Sequence, residues 1–263
     1  MMSVLSSPPA QEVDGIREPR LHERAAIVLA VDIVAGRLQP GDQFPSTDEI
    51  VERFGFSRTV AREALQTLSM LGVVRVQHGK RTEVRPPEDW NILSSVVQQA
   101  LGREGRLEPV WRDLYEFRLV VEPQAAAWMA ERGSDPDLIR LSGLAAEMRM
   151  LAEDLGNARL FLAADQEFHK LIARSATNRV LAGVSRSFWD AVSVLWLESH
   201  LTAEELTAVA GQHQRIADAI TRRDAAAAAA AMTAHLEAAS TMDVGHFPPS
   251  PSASDLGASA SDS

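Results

Sequence analysis

A chain of 263 residues with no cysteine can form neither disulfides nor thiolate metal sites, and it is long enough for two domains that each bury a core. Its formal net charge of −10 is divided unevenly: residues 16–86 carry eleven Lys/Arg against nine Asp/Glu, and residues 87–263 carry fifteen against twenty-five, so the acidity lies outside the first segment. No apolar run reaches membrane-spanning length and the start MMSVLSSPPAQEVDG lacks the basic-then-apolar order of a secretory signal, so a soluble cytoplasmic protein with no membrane partner is expected.

Residues 1–15 read as a flexible arm, and residues 16–88 as a winged helix-turn-helix. A helix over about 21–35 and the turn LQPGDQFP lead into PSTDEIVERFGFSRTVAREALQTLSMLGVVRVQHGK, residues 45–80. Ser46 can cap a short helix, with Glu49 three residues on to complete a capping box, and Ile50, Val51 and Phe54 supply its buried side. Gly55 breaks that helix, Phe56 plugs the turn, and Ser57 caps a second helix running to about Leu71. Ala61, Ala64, Leu65, Leu68 and Leu71 fall three and four apart and face inward. Arg58, Thr59 and Arg62 take the opposite side of its first turns, where a recognition helix meets base edges and phosphates. Gly72 stops the helix, and VVRVQ, HGK and RTEVR read as strand, tight turn and strand. One isolated arginine is more often part of a solvated helix face. The order helix, glycine turn, helix and basic-tipped hairpin argues for DNA, and the Gly79 tip between His78 and Lys80 lets backbone approach phosphates.

PPEDW marks a linker, after which helical periodicity continues almost without strand signals. Helices are expected over about 91–102, 108–131, 136–154, 158–174, 179–198, 203–221 and 223–241, so residues 89–243 form an all-helical bundle and the fold class is mainly α. Residues 244–263, rich in Pro, Ser, Gly and Asp, read as a disordered tail.

Asp165 and His169 are four residues apart and share one helix face, while His213 and His235 sit on two later helices at matching inward phases. One carboxylate and three imidazoles can fill most of a first-row metal shell and leave positions open for water or a ligand. Equally, each histidine alone could be a surface or satisfied core residue, and spacing does not separate the two readings.

The N-terminal part, through GRLQPGDQFPSTDEIVERFGFSRTVAREALQTLSMLGVV and the turn QHGK, resembles the GntR superfamily of bacterial transcription regulators. The C-terminal part, through FRLVVEPQAA, DQEFHKLIARSATNRVL and the histidines at 213 and 235, resembles the metal-binding effector domain (FCD type) of the FadR subfamily. The resemblance covers roughly residues 20–240. It implies an effector-binding and dimerisation role for residues 89–243, and a homodimer reading a palindromic operator in double-stranded DNA. It implies DNA contacts from Ser46, Arg58, Thr59, Arg62, His78, Gly79 and Lys80. It also implies a divalent metal ion (zinc, nickel or manganese) on Asp165, His169, His213 and His235, with zinc expected. Many relatives carry Glu then Arg where this chain has Thr47 and Asp48, and an acidic residue there cannot bind phosphate. Arg118 matches an arginine that lines the family's ligand cavity, with Asn178 as a second effector contact; Arg118 could equally pair with Glu122 one turn on.

The function expected is a regulator, in the repressor sense, whose operator affinity follows a small carboxylate effector, an organic or sugar acid, held by the metal and a guanidinium. VRPPEDWNILSSVVQQAL resembles regulators of sugar-acid catabolism and points to an aldonate or hexuronate. A metal-responsive regulator without organic effector is the alternative. A metal-dependent hydrolase fits less well, because no glutamate sits at an HExxH-like spacing to act as base.

Overall fold

The computed structural model describes residues 20–76, 81–196 and 202–240. The arm, the wing tip with His78, Gly79 and Lys80, and the tail lie outside the described residues.

Helix α1 (Leu21–Val34) buries Ala26, Ile27, Leu29 and Ile33. Its one buried acid, Asp32, meets Arg37 and Arg53 at 2.8 Å each, tying the following turn and the next helix to α1. Helix α2 (Thr47–Phe54) starts as the sequence predicts: Glu49 N donates to Ser46 Oγ at 3.3 Å and Ser46 N to Glu49 Oε2 at 2.7 Å. Gly55 ends it at φ 71°, and the Phe54 and Phe56 rings stack 5.9 Å apart across the turn. Ser57 Oγ accepts from Val60 N to open α3 (Arg58–Met70), whose Ala61, Ala64 and Leu68 are fully buried, with Leu65 and Leu71 half-buried beside them. Gly72 follows at φ 75°, and a Cβ there would stand 2.2 Å from the Asp89 carbonyl oxygen, so both conformation and space require glycine. Strands β1 (Val74–Arg75) and β2 (Glu83–Val84) pair antiparallel, and Gln43 bridges to Glu83 to form a third piece of the wing.

A 3₁₀ turn over Pro87–Asp89 precedes α4 (Ser95–Arg103). This helix starts later than periodicity predicts because side chains capture the backbone ahead of it. Leu93 N donates to Asn91 Oδ1, Val96 N to Ser94 Oγ, and Gln98 Nε2 to the Ile92 carbonyl. Then come α5 (Glu108–Arg132), α6 (Asp135–Leu151), α7 (Ala158–Ser175), α8 (Arg179–Trp196), α9 (Ala203–Thr221) and α10 (Ala225–Ser240). The end of α6 falls three residues before the expected 154, where Asp154 Oδ1 takes Gly156 N and turns the chain. The start of α10 falls after the expected 223, because Arg223 adopts φ 57° and Asp224 Oδ1 accepts from Ala227 N as the cap.

Among the described residues, two apolar clusters hold the fold together. The first joins α1 to α4 with Trp111, Leu114 and Tyr115 of α5 and with Phe188 and Trp189 of α8. The second joins the rest of α5 to α6, α7, α9 and α10. Helix α4 therefore packs on α1 and α8 alike and stands between the winged helix-turn-helix and the bundle.

Candidate metal centre and DNA-facing surface

On the N-terminal unit, Ser46, Arg58, Thr59 and Arg62 are all exposed, as a DNA-reading face requires. Ser46, Thr47 and Arg62 line one cleft with Gln66 and Arg81, two residues that the motif reading passed over. Arg81 follows Lys80 in sequence and donates to Gln43 Oε1 at 3.0 Å. Asp48, the residue that departs from the family pattern, forms an ion pair with Arg58 from the next helix.

In the bundle, α7 supplies Asp165 and His169 from one face, α9 supplies His213, and α10 supplies His235. All four are buried, and one ligand atom from each lies within 4.8 Å of the others. His213 Nε2 is 3.0 Å from Asp165 Oδ1 and 3.2 Å from His169 Nε2, so these nitrogens converge. Their outer nitrogens are occupied: His213 Nδ1 lies 2.9 Å from the Val209 carbonyl and His235 Nδ1 2.8 Å from Gln212 Oε1. His169 Nδ1 lies 2.7 Å from Glu122 Oε2, in a contact too skewed for an aligned hydrogen bond. An acceptor at Nδ1 leaves the Nε2 lone pair directed inward, the tautomer a metal ligand needs. Three imidazoles and a carboxylate, each imidazole oriented from outside, fit a first-row divalent ion. Asp165, His169, His213 and His235 would hold it, and the ion would supply Lewis acidity and open positions for a carboxylate.

Arg118 lies at the rim of the cluster, 2 % exposed, with Nη2 3.5 Å from His169 Nε2. Its Nε donates to Glu122 Oε1 at 2.7 Å, so the two readings of the sequence meet in one residue: it is an ion-pair partner and a neighbour of the centre. Its guanidinium carbon stands 4.4 Å from the Trp189 ring centroid and 5.1 Å from that of Tyr115, and Trp189 in turn stacks on His169 at 4.8 Å. Asn178 Oδ1 accepts from Val180 N and Leu181 N at 3.1 Å each and caps α8, ten residues ahead of Phe188.

Burial works to raise the Glu122 carboxyl, but Arg118 and His169 outweigh it and hold Glu122 at about 2. Burial also opposes ionisation of Asp165, and His213, whose Nε2 lies 3.0 Å away, outweighs it and keeps the carboxyl below its ordinary range. Burial lowers His169 despite Glu122, and it lowers His235 well below the ordinary value with help from the neighbouring His213. Buried His169 and His235 thus stay neutral, ready to ligate. Sequence reasoning took Glu122 only as an arginine partner and missed Gln212 and Trp189. Gln212 adjoins His213 in GQHQ, but its contact runs to His235 on another helix.

Residues 21–84 match the bacterial regulatory proteins of the gntR family, and residues 113–238 match the FCD domain. YieP of Escherichia coli, named an uncharacterized HTH-type transcriptional regulator, is 30% identical over 200 residues, covering 76% of this chain and 85% of its own. The HTH-type transcriptional regulator LutR of Bacillus subtilis is 31% identical over 221 residues, covering 81% and 96%. The galactonate operon transcriptional repressor of Escherichia coli is 28% identical over 207 residues, covering 78% and 89%. Among solved structures, Lar, described as controlling expression of the Listeria monocytogenes agr system, shares the fold with a TM-score of 0.58 at 17% identity, over 86% of this chain and 97% of that one. A mainly α chain with a DNA-facing helix-turn-helix and a buried Asp/His cluster behind it accords with these matches: the protein belongs to the gntR family of bacterial regulatory proteins and is a transcription regulator, not an enzyme.

Proposed function

We propose that this regulator is a homodimeric repressor whose affinity for a palindromic operator is set by a small sugar or organic acid bound at a divalent metal. Asp165, His169, His213 and His235 hold the ion, with zinc the expected occupant. The observation that carries the reading is the convergence of four buried ligands, each imidazole held from outside, beside a buried arginine. The galactonate repressor among the relatives supports an aldonate-like acid. On the DNA side, Ser46, Arg58, Thr59, Arg62 and the wing residues His78, Gly79 and Lys80 take the contacts. Trp189 provides the route between them: it stacks on His169, carries Arg118 above it, and shares the apolar cluster of α1 and α4. An acid that displaces Arg118 or His169 moves α8, and α4 passes the shift to α1.

One observation favours a second reading. Arg118 is already neutralised by Glu122, which leaves a metal-responsive regulator without organic effector in play. Isothermal titration of galactonate into metal-loaded protein, with operator binding followed in parallel, separates the two. Heat with a change in operator affinity of about five- to 150-fold supports the acid sensor. Operator affinity that follows metal alone, with no response to a panel of sugar acids and dicarboxylates, supports the metal sensor. Elemental analysis that finds no ion at neutral pH without chelator refutes both.

A further inference from the structure

The pair between Asp48 and Arg58 joins the first turn of α2 to the first turn of α3, ten residues apart in sequence. The neighbouring acid, Glu49, is committed to the Ser46 N–H at 2.7 Å, which leaves Asp48 to meet the arginine. Both side chains are about two-thirds exposed, 69% for Asp48 and 68% for Arg58, so the pair stands on the surface that the recognition helix presents to a duplex. In water such a pair stabilises the fold little. Against DNA, water is displaced and the interaction strengthens. The contact uses one of five N–H donors on the guanidinium, so the others stay available to fork onto O6 and N7 of a guanine. A carboxylate at that place also repels phosphate, so a tethered Arg58 is kept off the backbone and turned toward base edges. Arg62, one turn along the same face, makes no ion pair among the described residues and is free to take a phosphate.

We infer that Asp48 is a positioning residue that makes Arg58 a reader of guanine rather than a phosphate contact. The inference rests on α3 being the recognition helix. Its test is selection from a randomised pool of duplex DNA by the full chain and by the variants D48A, D48E, R58A and R62A. The wild type is expected to enrich a symmetric motif containing a guanine whose preference R58A abolishes. D48A is expected to lose that same preference by about tenfold, the discrimination of one bidentate pair. Its affinity for unrelated DNA rises and steepens with salt, since an acid has left the interface. D48E, which keeps the carboxylate, restores part of the preference, whereas R62A weakens all sequences alike. The Ser46–Glu49 capping box does not involve the Asp48 side chain, so D48A should keep the wild-type melting temperature. A D48A motif with the guanine preference intact overturns the inference, as does an R58A motif unchanged at every position. A wild type that enriches no motif refutes instead the recognition-helix reading on which it stands.

Discussion

Replacing Glu122 by Gln tests whether the metal centre rests on a compensated buried charge. The substitution keeps the shape of the side chain and removes its charge, which leaves the guanidinium of Arg118, 2 % exposed, without its counter-ion. Breaking one side of a buried pair costs about 3–5 kcal/mol. The depression of Glu122 from 4.5 to about 2 leads to a similar figure, roughly 3 kcal/mol. For a chain of this size a loss of that order lowers the melting temperature by about 6–12 °C, read by far-ultraviolet circular dichroism at pH 7. Losing the outer partner of His169 should also weaken metal binding by about ten- to 100-fold, read by chelator competition. The double variant Arg118→Met, Glu122→Leu removes both charges and is expected to melt near or above the wild type, because apolar side chains of similar volume replace a desolvated pair. A Glu122→Gln protein that melts within about 1 °C of the wild type and keeps its metal would refute the reasoning.

His213→Ala is expected to lose the ion and the chelator-induced drop in melting temperature together, while far-ultraviolet spectra stay helical; retention of one metal per chain by this variant argues against the site. Gly72→Ala places a Cβ 2.2 Å from the Asp89 carbonyl oxygen at φ 75°, so urea unfolding should show a loss of at least about 1–3 kcal/mol, and no loss means that the turn can relax. Metal-free protein should melt at a constant temperature above pH 6.5 and progressively lower below it. The sign follows from the buried histidines: folding lowers His169 and His235 below 6.5, so the unfolded chain takes up more protons as the pH falls through that value. A melting temperature that rises on acidification from pH 7 to 5.5 contradicts it.

Much of the fold was legible wherever one residue decides a local outcome. Ser46 and Ser57 each cap a helix through their own oxygens, and Gly55 and Gly72 each stop one in the left-handed region. Boundaries failed where side chains compete with the helix for backbone groups: Asn91 and Ser94 delayed α4, and Asp224 delayed α10. In the site, Asp165 and His169 were visible because four residues make one helical turn, and the same rule placed Glu122 beside Arg118. Trp189 over His169 and Gln212 on His235 were not visible. Each contact joins residues of different helices, and its partner is chosen by how those helices pack. The second role of Glu122 was hidden for the same reason, since His169 lies on α7 and Glu122 on α5.

The charges of the centre bear on what it can sense. Arg118 and Glu122 cancel, and burial works against protonation of His169 and His235, so Asp165 is the carboxylate left without a cationic side chain of its own. Its oxygen lies 3.0 Å from His213 Nε2, and it is held out of water at a cost that a cation among the same nitrogens relieves. In the proposed reading a divalent ion overshoots: two positive charges meet one negative, and the centre is left with one positive charge in a dry interior. A monocarboxylate completes the neutralisation, and a neutral sugar does not. The same arithmetic explains why an arginine already paired with Glu122 is useful there. It can orient a hydroxyl or a second oxygen of the acid without adding a charge to be balanced. In the proposed reading, selectivity for acids over neutral sugars would then follow from the metal and Asp165, while selectivity among acids would fall to Arg118 and the aromatic rings of Tyr115 and Trp189 around it.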